Sequence, residues 1–146
     1  MKGAIPKGRR LALDPGGERI GIAISDELGL IATPLRTIES SKLDMELSNI
    51  IQESNIGVIY IGLPIHLSGA EGNSALAARE LAQHIAKTFP VPISLVDERL
   101  TSKSASHDQE RIKRYGIDAV AACEILNFAL TGEKSLGKIF GSVIEV

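Results

Sequence analysis

Apolar residues alternate with small or polar ones from Arg10 to Asp14 and again from Ile20 to Ser25, the period of two expected of strands. Pro15-Gly16-Gly17 separates the two runs, so a hairpin is predicted. Pro15 fixes its own backbone and biases Asp14 toward an extended shape, and Gly16 is expected to supply the positive φ of a type II turn. Ala32 to Ile38 predicts a third, antiparallel strand. Leu43, Leu47, Ile50 and Ile51 then fall on one face of a helix over Leu43 to Gln52. Gly57 to Leu63 is almost unbroken in its apolar character (Val58-Ile59-Tyr60-Ile61), as in a central strand covered on both faces.

Pro64 to Asn73 reads as a loop, with Asn73 or Ser74 expected to cap a helix running through Ala75 to Phe89. Ile93 to Val96 predicts another short buried strand, ending in the triplet Asp97-Glu98-Arg99. Thr101 to Tyr115 is polar and predicts a ragged helix stopping at Gly116, and Asp118 opens a last helix to about Leu130. The predicted order is β-β-β-α-β-α-β-α-α, an α/β fold with a five-stranded mixed sheet flanked by helices. Residues 1–131 are expected to form one domain. Residues 132–146 form a tail whose Ile139, Phe140, Val143 and Ile144 dock on that domain or on a partner.

Bulk properties narrow the function. A chain of 146 residues, 44% hydrophobic, fits one globular domain with an ordinary core. The formal net charge of -2 gives no overall basic field, so a polyanion has to be met by a local basic patch or by bound cations. With two Tyr, three Phe and no Trp, a base-stacking platform is poorly supplied. One cysteine, Cys123, rules out an internal disulfide and fits a reducing compartment. The basic start, Met1 to Arg10, is followed by only Leu11-Ala12-Leu13 before Asp14 and Pro15, which is no secretory signal. No other run is long enough to span a membrane, and a cytoplasmic location is expected.

Three acidic residues occupy telling positions. Asp14 ends the first strand, Glu98 follows a later one, and Asp118 starts the last helix. Ligands of α/β sheets collect at the carboxyl ends of strands. Magnesium or manganese takes carboxylate oxygens, and two such ions about 4 Å apart can activate water against a phosphodiester, with no protein nucleophile. Each residue also has a plainer reading. Aspartate before Pro-Gly is a common turn residue, aspartate at a helix start is a common cap, and Asp97 competes with Glu98 because strand neighbours face opposite ways.

The stretch Leu11 to Asp26 (LALDPGGERIGIAISD) resembles the first motif of the YqgF family, also called RuvX. Gly62-Leu63-Pro64 with Gly69 to Gly72, Asp97 to Ser102 (DERLTS), and Ile117 to Ala122 (IDAVAA) through Ile125-Leu126 resemble its later motifs, in the same order. The resemblance implies a ribonuclease H-like fold. It also implies a metal-dependent nuclease that matures the 5' end of pre-16S ribosomal RNA, or a resolvase of Holliday junctions in branched DNA, with its acidic positions at Asp14, Glu98 and Asp118. The chain departs from the family in having Pro15-Gly16-Gly17 where a hydrophobic residue and Gly-Thr are usual, and in a shorter stretch between Thr101 and Asp118.

Around this triad, Arg19, Arg99, Lys103, Arg111, Lys113 and Arg114 are candidates for substrate binding, with a solvated charged face as the rival reading. Gly62, Gly69 and Gly72 are candidates for a loop presenting backbone amides to a phosphate. Asp26 is set aside as a turn residue, and His66, His84 and His107 are too dispersed for a zinc motif. Two other classes of function compete with a nuclease: a non-catalytic ribosome-assembly module, and an actin-like phosphate- or nucleotide-binding module. The chain is expected to act as a monomer or a homodimer, and a junction resolvase would need the symmetric dimer.

Overall fold

The computed structural model describes residues 5–101 and 109–145. Its strands are β1 (Arg9–Gly16), β2 (Arg19–Ser25), β3 (Ala32–Glu39), β4 (Ile56–Leu63), β5 (Ile93–Asp97) and β6 (Ser142–Val143). Its helices are α1 (Leu43–Glu53), α2 (Asn73–Thr88), α3 (Gln109–Tyr115) and α4 (Ile117–Leu136). All six strands form one sheet in the order β3-β2-β1-β4-β5-β6. β1, β2 and β3 pair antiparallel, β1, β4 and β5 run parallel, and β6 lies antiparallel on the far edge.

Side-chain size alternates along the inner strands, and this separates two cores. Leu11 and Leu13 of β1, Ile20 and Ile22 of β2, and Ile59 and Ile61 of β4 pack against Leu47 and Ile50 of α1 and Ala78, Ala82 and Ile85 of α2. The opposite face carries Ala12, Ala23, Val58, Tyr60 and Val96 and meets Ala122, Cys123, Ile125, Leu126 and Ala129 of α4. Because β1 and β2 offer such small side chains there, α4 can approach their backbone closely.

The structure corrects the expected hairpin turn. Gly16 is still in β1, paired with Arg19 of β2, and the positive φ of 76° belongs to Gly17. The loop is therefore the two residues Gly17 and Glu18. Pro15 is tolerated in the strand because it lies beyond the last β1–β4 partners, Leu13 and Ile61.

The sheet has six strands where five were expected. The sixth comes from the tail: Ser142 and Val143 pair with Leu95 and Ser94. Gly132, expected to begin that tail, instead lies inside α4, which ends at Gly137 with a left-handed φ of 68°. A Cβ on Gly132 would strike the Phe140 ring, so this glycine is a notch for the returning chain. Ile139 is buried, and Phe140 meets Phe128 edge-on at 5.4 Å between ring centres.

A buried polar network holds the sheet end farthest from Asp14. The Arg10 guanidinium lies 3.0 Å from the Glu133 carboxylate, which also accepts the Tyr60 hydroxyl, and Tyr60 accepts the Phe140 amide at 3.2 Å. Burial first, and Glu133 second, keep the Tyr60 phenol protonated well above its ordinary range. β1, β4, α4 and the tail are thereby joined through groups that each have a partner. Among the described residues, no helix is long and apolar enough to cross a membrane.

Candidate active site

Strand parity aims the carboxylates. Asp14 follows Ala12 by two residues on β1 and so shares its face, the one covered by α4. Glu98 follows Val96 of the same face, while Asp97 projects elsewhere. The Asp97 carboxylate accepts the Arg99 amide at 2.9 Å and the Arg99 guanidinium at 2.8 Å, capping the short 3-10 helix Glu98–Leu100. That Arg99 hydrogen bond outweighs burial, which acts the other way, and lowers the Asp97 carboxyl below its ordinary value. Asp97 is thus engaged locally, and Glu98 is the neighbour turned toward Asp14.

Two glycines make the convergence possible. Gly21 lies opposite Asp14 in the β1–β2 ladder, and a Cβ there would be driven into the Asp118 carbonyl and to within 2.6 Å of the Ala119 nitrogen. The first turn of α4 therefore rests directly on Gly21, with Asp118 over the hairpin. Gly62, at the end of β4, faces Glu98 in the same way. A Cβ there would overlap the Glu98 carboxylate and stand 2.7 Å from Ile125 Cδ1. The cap of α4 is Gly116, at φ 89°, with no side-chain cap, so Asp118 sits one residue inside the helix and is not consumed by capping.

The electrostatics match that crowding. Asp14 is half-buried, hydrogen-bonded to Glu98 and close to Asp118, and its pKa is pushed up to about 8 by burial first, then by Glu98, then by the Asp118 charge. Asp118 also has a cation beside it, the exposed Arg19, with Nε 3.7 Å from Oδ2. Among the described residues, no three acidic, His or Cys side chains are already gathered into a metal cage. The donor set nonetheless suits a hard divalent ion: carboxylate oxygens from three separate elements, two of them held together by a proton that a cation could replace.

The model of the family described as "RuvX: Holliday junction resolvase" matches residues 8–132. The chain belongs to the RuvX family. Curated relatives of this RuvX chain include a protein of Nocardioides sp. that is 38% identical, over 94% of this chain and 97% of its own. One of Oceanobacillus iheyensis is 41% identical over 80% and 93%. Both are named "Putative pre-16S rRNA nuclease". Among solved structures, T. thermophilus RuvC in complex with a Holliday junction substrate superposes with a TM-score of 0.53 at 14% identity, over 90% of this chain and 99% of that one. That likeness shows a shared fold, the ribonuclease H-like α/β class.

The remaining candidates of the RuvX chain scatter. Arg19 stands at the triad, but Arg99 is bound to Asp97. Arg111 points its guanidinium toward Cys123 Sγ at 3.7 Å, and the Arg114 guanidinium lies 5.6 Å from the Tyr115 ring centre. Lys113 is exposed on α3, and Lys103 lies outside the described residues. Gly62 lies one residue before the end of β4, beneath Glu98. Gly69 takes a φ of 91° in a turn that uses its own amide on the His66 carbonyl. Gly72, with neither Asn73 nor Ser74, is the N-cap of α2, and no side chain caps that helix. Asp26 accepts the Leu30 and Ile31 amides at 2.8 Å each, as a turn residue does. Sequence reasoning missed Gly21, whose only outward sign is its place at the small position between Ile20 and Ile22.

Proposed function

We propose that this chain is a nuclease that hydrolyses phosphodiester bonds with divalent metal ions, magnesium or manganese, held by Asp14, Glu98 and Asp118, and that it trims the 5' end of pre-16S ribosomal RNA. The observation that carries this reading is the meeting of three carboxylates, from β1, the residue after β5 and the first turn of α4, at one end of the sheet. Family membership and the names of the relatives support the reaction class and the RNA substrate. Bound there, divalent ions would activate a water and steady the leaving oxygen. The chain's own part is to fix the oxygens. β1 presents Asp14, Gly62 leaves room for Glu98, and Gly21 seats Asp118. Arg19, exposed beside Asp118, is placed to meet the substrate phosphate.

The family description favours a second reading, cleavage of branched DNA. Purified protein tested against labelled pre-16S RNA ends, single-stranded RNA and four-way DNA junctions, with and without magnesium or manganese, decides between them. Metal-dependent cleavage of the RNA end alone is expected. Junction cleavage by a dimer would favour the second reading, and no cleavage of any substrate would remove both.

Arg19→Ala should weaken binding to the cleaved substrate about five- to tenfold and lower the salt dependence of binding by about one phosphate contact. Binding titrations at several salt concentrations measure both. An unchanged slope would remove Arg19 from the substrate contacts.

A further inference from the structure

On the side of the hairpin tip away from α4 there is an open recess of about 440 Å³, lined by Pro15, Gly16, Gly17, Ile20, Ser40, Asn73, Ser74, Ala77, Ala78 and Leu81. Its volume lies within the roughly 300–1,000 Å³ usual for small-molecule sites. The walls have two characters. Pro15, Ile20, Ala78 and Leu81 form an apolar floor where the larger core comes to the surface. Ser40, Asn73 and Ser74 provide polar groups at the rim. Neither Asn73 nor Ser74 is used as the helix cap, and the Ser40 hydroxyl is donated to the Gly17 carbonyl, which ties the hairpin to the rim. No Lys or Arg lines the recess, so it is not built for an isolated phosphate.

We propose that this recess receives a nucleobase, from a nucleotide beside the phosphodiester held at the carboxylates. The proposal deepens the nuclease reading and rests on it for the identity of the ligand as nucleic acid. A flat apolar ring with hydrogen-bonding edges matches an apolar floor with an amide and hydroxyls at its rim. The placement matches as well. Asp14 and Pro15 are consecutive on β1 and face opposite sides of the sheet end, Asp14 toward α4 and Pro15 into the recess. A strand crossing the hairpin tip thus sets a phosphate on one side and a neighbouring base on the other. Taking up that base requires it to leave its stack, which is least costly in single-stranded or frayed nucleic acid. The preferred substrate is accordingly an unpaired segment, with continuous duplex bound poorly.

Ala77 tests this, because it lines the recess and is exposed, so a larger side chain there fills the recess without entering the core. Single-stranded RNA carrying 2-aminopurine at successive positions is titrated with the full chain in calcium, and binding is followed by base fluorescence. One position should change its emission on binding, and Ala77→Phe should abolish that change and weaken binding at least about tenfold, with an unchanged melting temperature. Repeating the titration with Asp14→Asn separates the two ideas. If the position-specific signal persists while neither protein cleaves any substrate in magnesium or manganese, the recess stands and the nuclease reading falls. If no position responds, or if Ala77→Phe binds the RNA as tightly as the parent, the recess proposal is overturned.

Discussion

Replacing Asp14 with asparagine should lower metal-dependent cleavage at least about a hundredfold while making the metal-free protein more stable at alkaline pH. The activity loss follows from removing the central carboxylate of the three, the one in contact with Glu98 and near Asp118, and is comparable to losing one preorganised electrostatic element. The stability gain follows from proton binding. In the folded chain Asp14 holds its proton up to about pH 8. Unfolded, it releases that proton near pH 4. Between these values the folded state binds more protons, so the stability contributed by the protonated carboxyl is complete at low pH and is lost as pH rises through 8. Asparagine keeps a neutral, hydrogen-bonding side chain throughout. In chelator, the parent should therefore melt at a lower temperature at pH 9 than at pH 6, and Asp14→Asn should show much less of that decline. Divalent metal should restore the parent at pH 9 and leave the variant nearly unmoved. Melts in chelator and in manganese, alongside cleavage rates, test all three outcomes. A parent curve flat from pH 6 to 9 in chelator would show that the carboxylates are not crowded.

Much of this architecture is legible in the sequence because it is written in alternation. β1, β2, β4 and β5 follow runs whose period and length have few other readings, and the same period decides which neighbours of Asp14 share its face. What escapes is of three kinds. β6 is two residues long and exposed, too short for any pattern, and it exists because Gly132 admits Phe140 and the chain returns to β5. The hairpin turn slips by one residue, since a run of adjacent glycines does not say which one takes the positive φ. Pairings of side chains, such as Arg99 with Asp97 and Arg19 with Asp118, depend on rotamers and distances that composition cannot fix. The glycines mislead most. Gly62 is legible as a strand position, but nothing in the sequence shows that the strand is kept small there for Glu98.

Gly21→Ala and Gly62→Ala should therefore fail in different ways, although each adds a single methyl group. At Gly21 the new Cβ meets backbone, the Asp118 carbonyl and the Ala119 nitrogen, which cannot rotate away. The start of α4 must lift from β2, disturbing the contact of Ala119 and Ala122 with the sheet, and a loss of roughly 3 kcal/mol or more is expected, at the upper end of overpacking costs. Asp118 is carried off with the helix, so cleavage should fall by orders of magnitude even in whatever fraction stays folded. At Gly62 the new Cβ meets the end of the Glu98 side chain and the tip of Ile125, both able to turn aside. Stability should drop by only about 1–2 kcal/mol, in the ordinary range for single substitutions. The displaced Glu98 carboxylate can no longer sit against Asp14, which removes the second cause of the raised Asp14 pKa while burial, the largest, persists. Gly62→Ala should thus cleave at least about tenfold more slowly, bind manganese more weakly in calorimetry, and lose less stability than the parent between pH 6 and 9 in chelator. Equal destabilisation by the two substitutions, or a Gly62→Ala protein with parental metal affinity, would mean that Gly62 is not the space into which Glu98 folds and that the carboxylate cluster is assembled differently.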